Sequence, residues 1–140
     1  MIQIEGQPLW LGHAGEGREY QQLYDAGIQA VVQVAAEELP AQAPRDLISC
    51  HFPVLDGTGN RGRLLFLVVT TLATFLRLHI PTLVCCSMGR SRAPALAAAA
   101  LALVHQQPPE AWLERITQRH PADVSPGLWN DLVALLPSLR

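Results

Sequence analysis

Lysine is absent from this chain of 140 residues, so all ten basic side chains are arginine. Charged residues of either sign make up only 16% of the chain, and the formal net charge is −2. That balance lacks the electrostatic footprint of a nucleic-acid binder, and no run of like charges marks an interaction tail. Cysteine is scarce and odd in number. Cys50, Cys85 and Cys86 do not make a disulfide framework, and free thiols fit a reducing compartment. The opening residues 1–6 have neither the basic start nor the apolar run of a secretory signal. The longest apolar stretches carry Arg or His and fall short of a membrane span. The expectation is a cytoplasmic protein with no membrane and no nucleic-acid partner. The five histidines (His13, His51, His79, His105, His120) show no metal-ligand spacing, so neither metal nor other cofactor is expected. What is abundant is apolar surface: 49% of residues are hydrophobic, enough for one domain, 1–140, to bury a core of its own.

Turn residues and hydrophobic periods divide the chain into alternating elements. Leu9-Trp10-Leu11-Gly12 reads as a short strand, and residues 16–26 place Tyr20, Leu23 and Tyr24 at helical spacing before the stop at Gly27. Residues 28–35 form a β-branched run of the kind buried inside a sheet. A connector at 37–44 leads to a strand over 46–54, whose Pro53 ends pairing. Asp56-Gly57-Thr58-Gly59-Asn60 is a dense turn signal. A long helix over 63–79 follows, then a buried strand over 82–85, a loop over 86–92 and an alanine-rich helix over 93–105. Pro109 opens a further helix running to about 120, and Ser125-Pro126, a serine cap followed by proline, opens a last one running to about 136. Strands alternating with helices, then helices alone, predict an α/β fold with a central, mostly parallel sheet flanked by helices. Trp10, Trp112 and Trp129 read as buried or half-buried packing residues.

The chemistry concentrates in Val84-Cys85-Cys86-Ser87-Met88-Gly89-Arg90-Ser91-Arg92-Ala93-Pro94. A loop between a buried strand and a helix start turns main-chain N–H groups toward one point, where the helix adds partial positive charge. Ser87, Met88, Gly89, Arg90 and Ser91 would supply that anion cradle, with Gly89 allowing the inward turn. Arg92 adds a planar fork for two phosphate oxygens. Cys86 sits at the floor, where the same field favours thiolate. Arg90, Arg61 and Arg63 read as solvated side chains near the mouth.

These residues resemble the signature of the cysteine-based protein tyrosine phosphatases, H-C-x-x-G-x-x-R-[ST]. Ser91-Arg92 and Pro94 look closest to the dual-specificity branch. The resemblance extends to Pro8-Leu9-Trp10-Leu11-Gly12, to residues 23–28 with 31–35, and to Val124-Ser125-Pro126 through Leu132. It implies the phosphatase α/β sandwich, a phosphocysteine intermediate on Cys86, and a phosphorylated protein or small phosphomonoester as substrate. It also implies a general acid on a loop roughly thirty residues before the cysteine. Asp56 lies thirty before Cys86 (86 minus 56) on an exposed turn, expected to be mobile, and is the candidate; Asp46 and Asp25 are rivals inside or beside regular elements.

Two positions depart from the pattern. The histidine before the nucleophile is Cys85, which predicts a smaller thiolate fraction. The hydroxyl residue after the arginine is Ala93, which predicts slow release of the thiolate from phosphocysteine. A vicinal Cys85–Cys86 disulfide is possible but strained, and Cys50 would serve as a resolving thiol if its strand lay beside the loop; the favoured reading is two buried packing cysteines. Alternative functions are a phosphate-recognising pseudophosphatase, a non-protein phosphate substrate, or a sulfur carrier with a similar loop. Lipid-directed relatives tend to carry lysine in the loop, which this chain lacks. Short loops predict a shallow pocket.

Overall fold

The computed structural model describes residues 1–140. Its strands are β1 (Ile2–Gln3), β2 (Leu9–His13), β3 (Ala30–Gln33), β4 (Ile48–His51) and β5 (Thr82–Cys86), in the lateral order β1-β2-β5-β3-β4. β2, β5, β3 and β4 run parallel, and β1 alone pairs antiparallel, with β2. The expected mostly parallel sheet is present. The strand β1 was not foreseen, because two residues carry no readable period.

β5 lies at the centre with every residue buried, so its apolar run needs no polar face. Register brings His13 beside Cys86, and Gln33 beside Cys85 on one side and His51 on the other. The carboxyl ends of β2, β5, β3 and β4 therefore finish at one edge, and the segments leaving them gather there. In open α/β sheets that edge is where ligands bind.

The helices are α1 (Tyr20–Asp25), α2 (Gly62–Arg77), α3 (Arg92–His105), α4 (Pro109–Thr117) and α5 (Pro126–Leu135). On one sheet face α2 to α5 bury the larger core, which includes Val32, Val84, Cys86, Leu96 and Leu128. On the other face α1 covers a smaller cluster of Leu23, Ile28, Val31, Leu47, Leu83 and Cys85. Alternation along β5 thus sends its two cysteines to opposite faces. α3 is buried along nearly its whole length and is packed by α2, α4, α5 and the sheet. Its alanines explain how: small side chains let neighbours approach on every side.

The helix expected over 16–26 is split. Glu16–Arg18 form a 3-10 turn, Glu19 leaves helical geometry (φ −86°, ψ 72°), and α1 follows. Its stop at Gly27 is as expected, with φ +78°. The strand over 46–54 shortens to four residues. A final 3-10 turn, Leu136–Leu139, was not anticipated. Trp112 is buried, while Trp10 and Trp129 are half-buried. No helix is long and apolar enough to cross a membrane.

Candidate active site

β5 delivers Cys86 to the sheet edge with only 3% exposure. The chain then wraps through Ser87–Ser91 before α3 begins at Arg92. Four of the five carbonyls of this loop, all but that of Met88, have a partner. Ser87 O accepts from Ala14 N (3.4 Å), Arg90 O from Asp123 N (2.7 Å) and Ser91 O from Ala95 N (3.0 Å). Gly89 O accepts from His120 Nε2 (2.6 Å), which fixes the proton on that nitrogen because a carbonyl only accepts. None of the main-chain N–H groups from Ser87 through Arg92 donates to another protein atom. The next amide, Ala93 N, points at Cys86 Sγ from 3.4 Å. A loop whose carbonyls are mostly engaged and whose N–H donors are free has the makings of an anion cradle, and it stands at the amino end of a long helix.

Gly89 is required here twice over. Its φ is +74°, and a Cβ would fall 2.8 Å from Gly12 O. The loop is therefore seated directly on the main chain at the end of β2.

Arg92 is buried, and its guanidinium is held at the site edge rather than loose in solvent. Nη1 donates to Glu37 Oε1 (2.5 Å) and to Val54 O (2.9 Å), and Nη2 donates to Glu37 Oε2 and, longer, to Ser87 Oγ (3.4 Å). Glu37 thus occupies the end-on edge of the fork. Nε is buried and has no acceptor in the protein. The side-on edge thus keeps one unpaired donor, Nε, beside an Nη2 that Ser87 Oγ holds only at 3.4 Å, and it is the edge an oxyanion would use. The hydrogen bonds from Arg92 hold the Glu37 carboxyl down to about 2 despite partial desolvation, and Ser87 assists. In return Glu37 raises the Arg92 pKa, with the charges of Cys86 and Asp56 acting in the same direction.

Asp56 stands exposed on the segment between β4 and α2. Its Oδ1 accepts a 2.6 Å hydrogen bond from Ser91 Oγ, which joins it to the phosphate-type loop. The segment is an exposed turn, as expected. Asn60 ties it by accepting from Leu55 N (2.8 Å) and donating to Leu55 O (2.9 Å) and Gly57 O (3.2 Å). The rivals are engaged elsewhere: Asp25 accepts from Gln21, and Asp46 accepts from the Tyr24 hydroxyl. Met88 and Arg90 are exposed on the loop, and Arg61 and Arg63 are exposed at the start of α2.

The structure decides between the packing and redox readings of the other two cysteines. Cys50 on β4 is level with Val84, separated from β5 by β3. Strand spacing and rise put its Cα about 12 Å from that of Cys86, against a limit of about 7 Å for a disulfide. It is not a resolving thiol. Cys85 faces the opposite layer from Cys86, packed where a Cβ on Gly17 would meet its sulfur at 2.9 Å. Burial, then the neighbouring Cys86, pushes its thiol up to about 12. It is a packing residue. All three cysteines are free thiols.

Three contributors escaped the sequence reading. Glu37 was treated as connector, although an acidic pair directly after a buried strand, in so weakly charged a chain, was an available signal. His120 was counted among scattered histidines, and nothing local marks it as a brace for Gly89. Ser125 was read as a side-chain cap; it makes no such bond, and instead its N–H donates to Ser91 Oγ (2.9 Å).

No family model matches the chain, and no curated protein matches it in sequence. Solved structures do match in fold. Human DUSP28 is 24% identical with TM-score 0.86, over 99% of this chain and 97% of that one. Human tyrosine phosphatase-like serine/threonine/tyrosine-interacting protein is 16% identical with TM-score 0.74, over 89% and 88%. PTPMT1 in complex with PI(5)P is 19% identical with TM-score 0.71, over 93% and 88%. The chain has the fold of the dual-specificity phosphatases.

Proposed function

We propose that this chain is a phosphomonoester hydrolase that works through a phosphocysteine on Cys86. The observation that supports the reading is the loop itself: N–H donors from Ser87 to Arg92 without protein partners, carbonyls mostly engaged elsewhere, and the unpaired Arg92 Nε beside one buried sulfur. In the first step the Cys86 thiolate attacks phosphorus, the S–P bond forms and the P–O ester bond breaks. Asp56 gives its proton to the departing oxygen. In the second step water attacks, Asp56 takes its proton, the S–P bond breaks and inorganic phosphate leaves. Preorganised donors aimed at the equatorial oxygens supply the main stabilisation, and the acid contributes about 10²–10⁴ for poor leaving groups.

A phosphoprotein is the favoured substrate. Leu39, Leu55 and Met88 are exposed on three segments that converge on the cradle. Such an apolar rim suits the side chains flanking a phosphorylated residue better than a polyanionic headgroup, and the chain has no lysine to gather extra phosphates. A second reading, a phosphate-recognising protein without turnover, is favoured by Ala93 and Cys85 at positions where the resembling family has hydroxyl and histidine. Steady-state assay on p-nitrophenyl phosphate and phosphotyrosine and phosphoserine peptides separates the two. The hydrolase reading expects turnover that Cys86→Ser abolishes. Phosphopeptide binding with no turnover in the wild type would establish the second.

A further inference from the structure

We propose that Ser91 is the positioning residue for the general acid: its hydroxyl ties Asp56 to the phosphate-binding loop and holds the carboxyl in place for proton transfer. The inference rests on the reading above and concerns a side chain that reading does not use. Ser91 Oγ bridges two segments. It accepts from Ser125 N at 2.9 Å, and its proton goes to Asp56 Oδ1 at 2.6 Å. With one lone pair anchored at the start of α5, the hydroxyl is aimed at Asp56. It donates to Oδ1 of the ionised carboxylate and has a second lone pair to accept from the protonated acid, so the contact can hold Asp56 in both states of the cycle. Oδ2 makes no hydrogen bond in the protein.

The device also sets distance. Ser91 immediately precedes Arg92 in the loop that holds the phosphoryl group, so one hydrogen bond sets the acid's position relative to the leaving oxygen. A second contact holds the same segment from behind. Gly127 on α5 lies so close to the Asp56 loop that a Cβ there would meet Thr58 Cγ2 at 2.5 Å and Thr58 N at 3.1 Å. The start of α5 therefore clasps both the hydroxyl and the loop it positions.

The test is the leaving-group dependence of kcat/KM, which reports phosphocysteine formation whatever the rate of its hydrolysis. Wild type, Ser91→Ala, Ser91→Thr, Asp56→Asn and Gly127→Ala are compared on p-nitrophenyl phosphate and phenyl phosphate, with thermal unfolding as the folding check. Loss of acid catalysis hurts the poor leaving group selectively. Ser91→Ala is expected to lose about tenfold more on phenyl phosphate than on p-nitrophenyl phosphate, with Ser91→Thr retaining most of the difference. Gly127→Ala, which displaces the loop by a route that leaves Ser91 intact, should show the same selectivity. Adding Ser91→Ala to Asp56→Asn should cost little more, because the two act as one unit. A loss by Ser91→Ala that is equal on both substrates, or no loss, overturns the inference while leaving the hydrolase reading standing. Wild type without turnover, or Asp56→Asn without leaving-group dependence, overturns the reading and the inference with it.

Discussion

The Cys86 sulfur meets a single donor in the protein, the Ala93 amide at 3.4 Å, and Ala93 offers no hydroxyl to stabilise a departing thiolate. A serine there would add a hydrogen bond to charge that develops only when the S–P bond breaks. Ala93→Ser should therefore raise kcat about tenfold, the effect of roughly 1.4 kcal/mol, and leave kcat/KM unchanged. Equal gains in both constants would contradict a slow second step. Glu37 gives a second residue-level test. Its pKa falls from the ordinary 4.5 to about 2 in the folded chain, chiefly through Arg92. A depressed carboxylate contributes stability that is present above pH 4.5 and is lost as pH falls toward 2. Wild-type Tm should drop across that window beyond the drop shown by Glu37→Gln. At neutral pH Glu37→Gln should melt roughly 2–4 °C lower, a modest figure because half of that carboxylate faces solvent. Identical pH profiles by differential scanning fluorimetry would show that the pair carries no linkage. At this scale Cys86, Arg92 and Gly89 were legible because they lie within one loop of fixed spacing. Glu37 was not, because its partner is 55 positions away and no local pattern encodes a contact of that range.

At the scale of elements, the site is a strand end, a seven-residue turn of direction and a helix start, and its shape depends on one close approach. Gly89 sits in the left-handed region against Gly12 O. Gly89→Ala imposes a backbone strain of about 1–2 kcal/mol and a clash that the loop must relieve by moving. A displacement near 1 Å is enough to cost about hundredfold in kcat/KM, and a parallel fall in Tm should accompany it. Unchanged kinetics would mean the loop is not seated as described. Element identities were readable from periods and breakers, and the buried strand and long helices came out within a few residues. The misreadings are of ends and of short pieces. The helix over 16–26 breaks at Glu19, and Ser125 spends its N–H on Ser91 rather than its side chain on a cap, because contacts from other segments outweigh local preference there.

At the scale of the whole molecule, lateral strand order gathers distant segments into one site. With β5 between β2 and β3, the loops after β2, β3 and β4 supply Ala14, Glu37 and Asp56, and the end of β5 supplies Cys86, to the same edge. The α4–α5 connection closes the far side with His120, Asp123 and Ser125. Fold class followed from the alternation of elements, but the order of strands did not, since periodicity says nothing about which strand lies beside which. That gap is why Cys50 was weighed as a partner for Cys86, when β3 in fact stands between them. The central claim, a nucleophilic sulfur in an anion cradle, is tested most directly by rapid-quench mixing with p-nitrophenyl phosphate and mass spectrometry of the stopped protein. The account predicts a burst of p-nitrophenol approaching one equivalent per chain, with one phosphoryl group on Cys86. A protein that stays unmodified at Cys86 through turnover, or that turns over without it, would contradict the account.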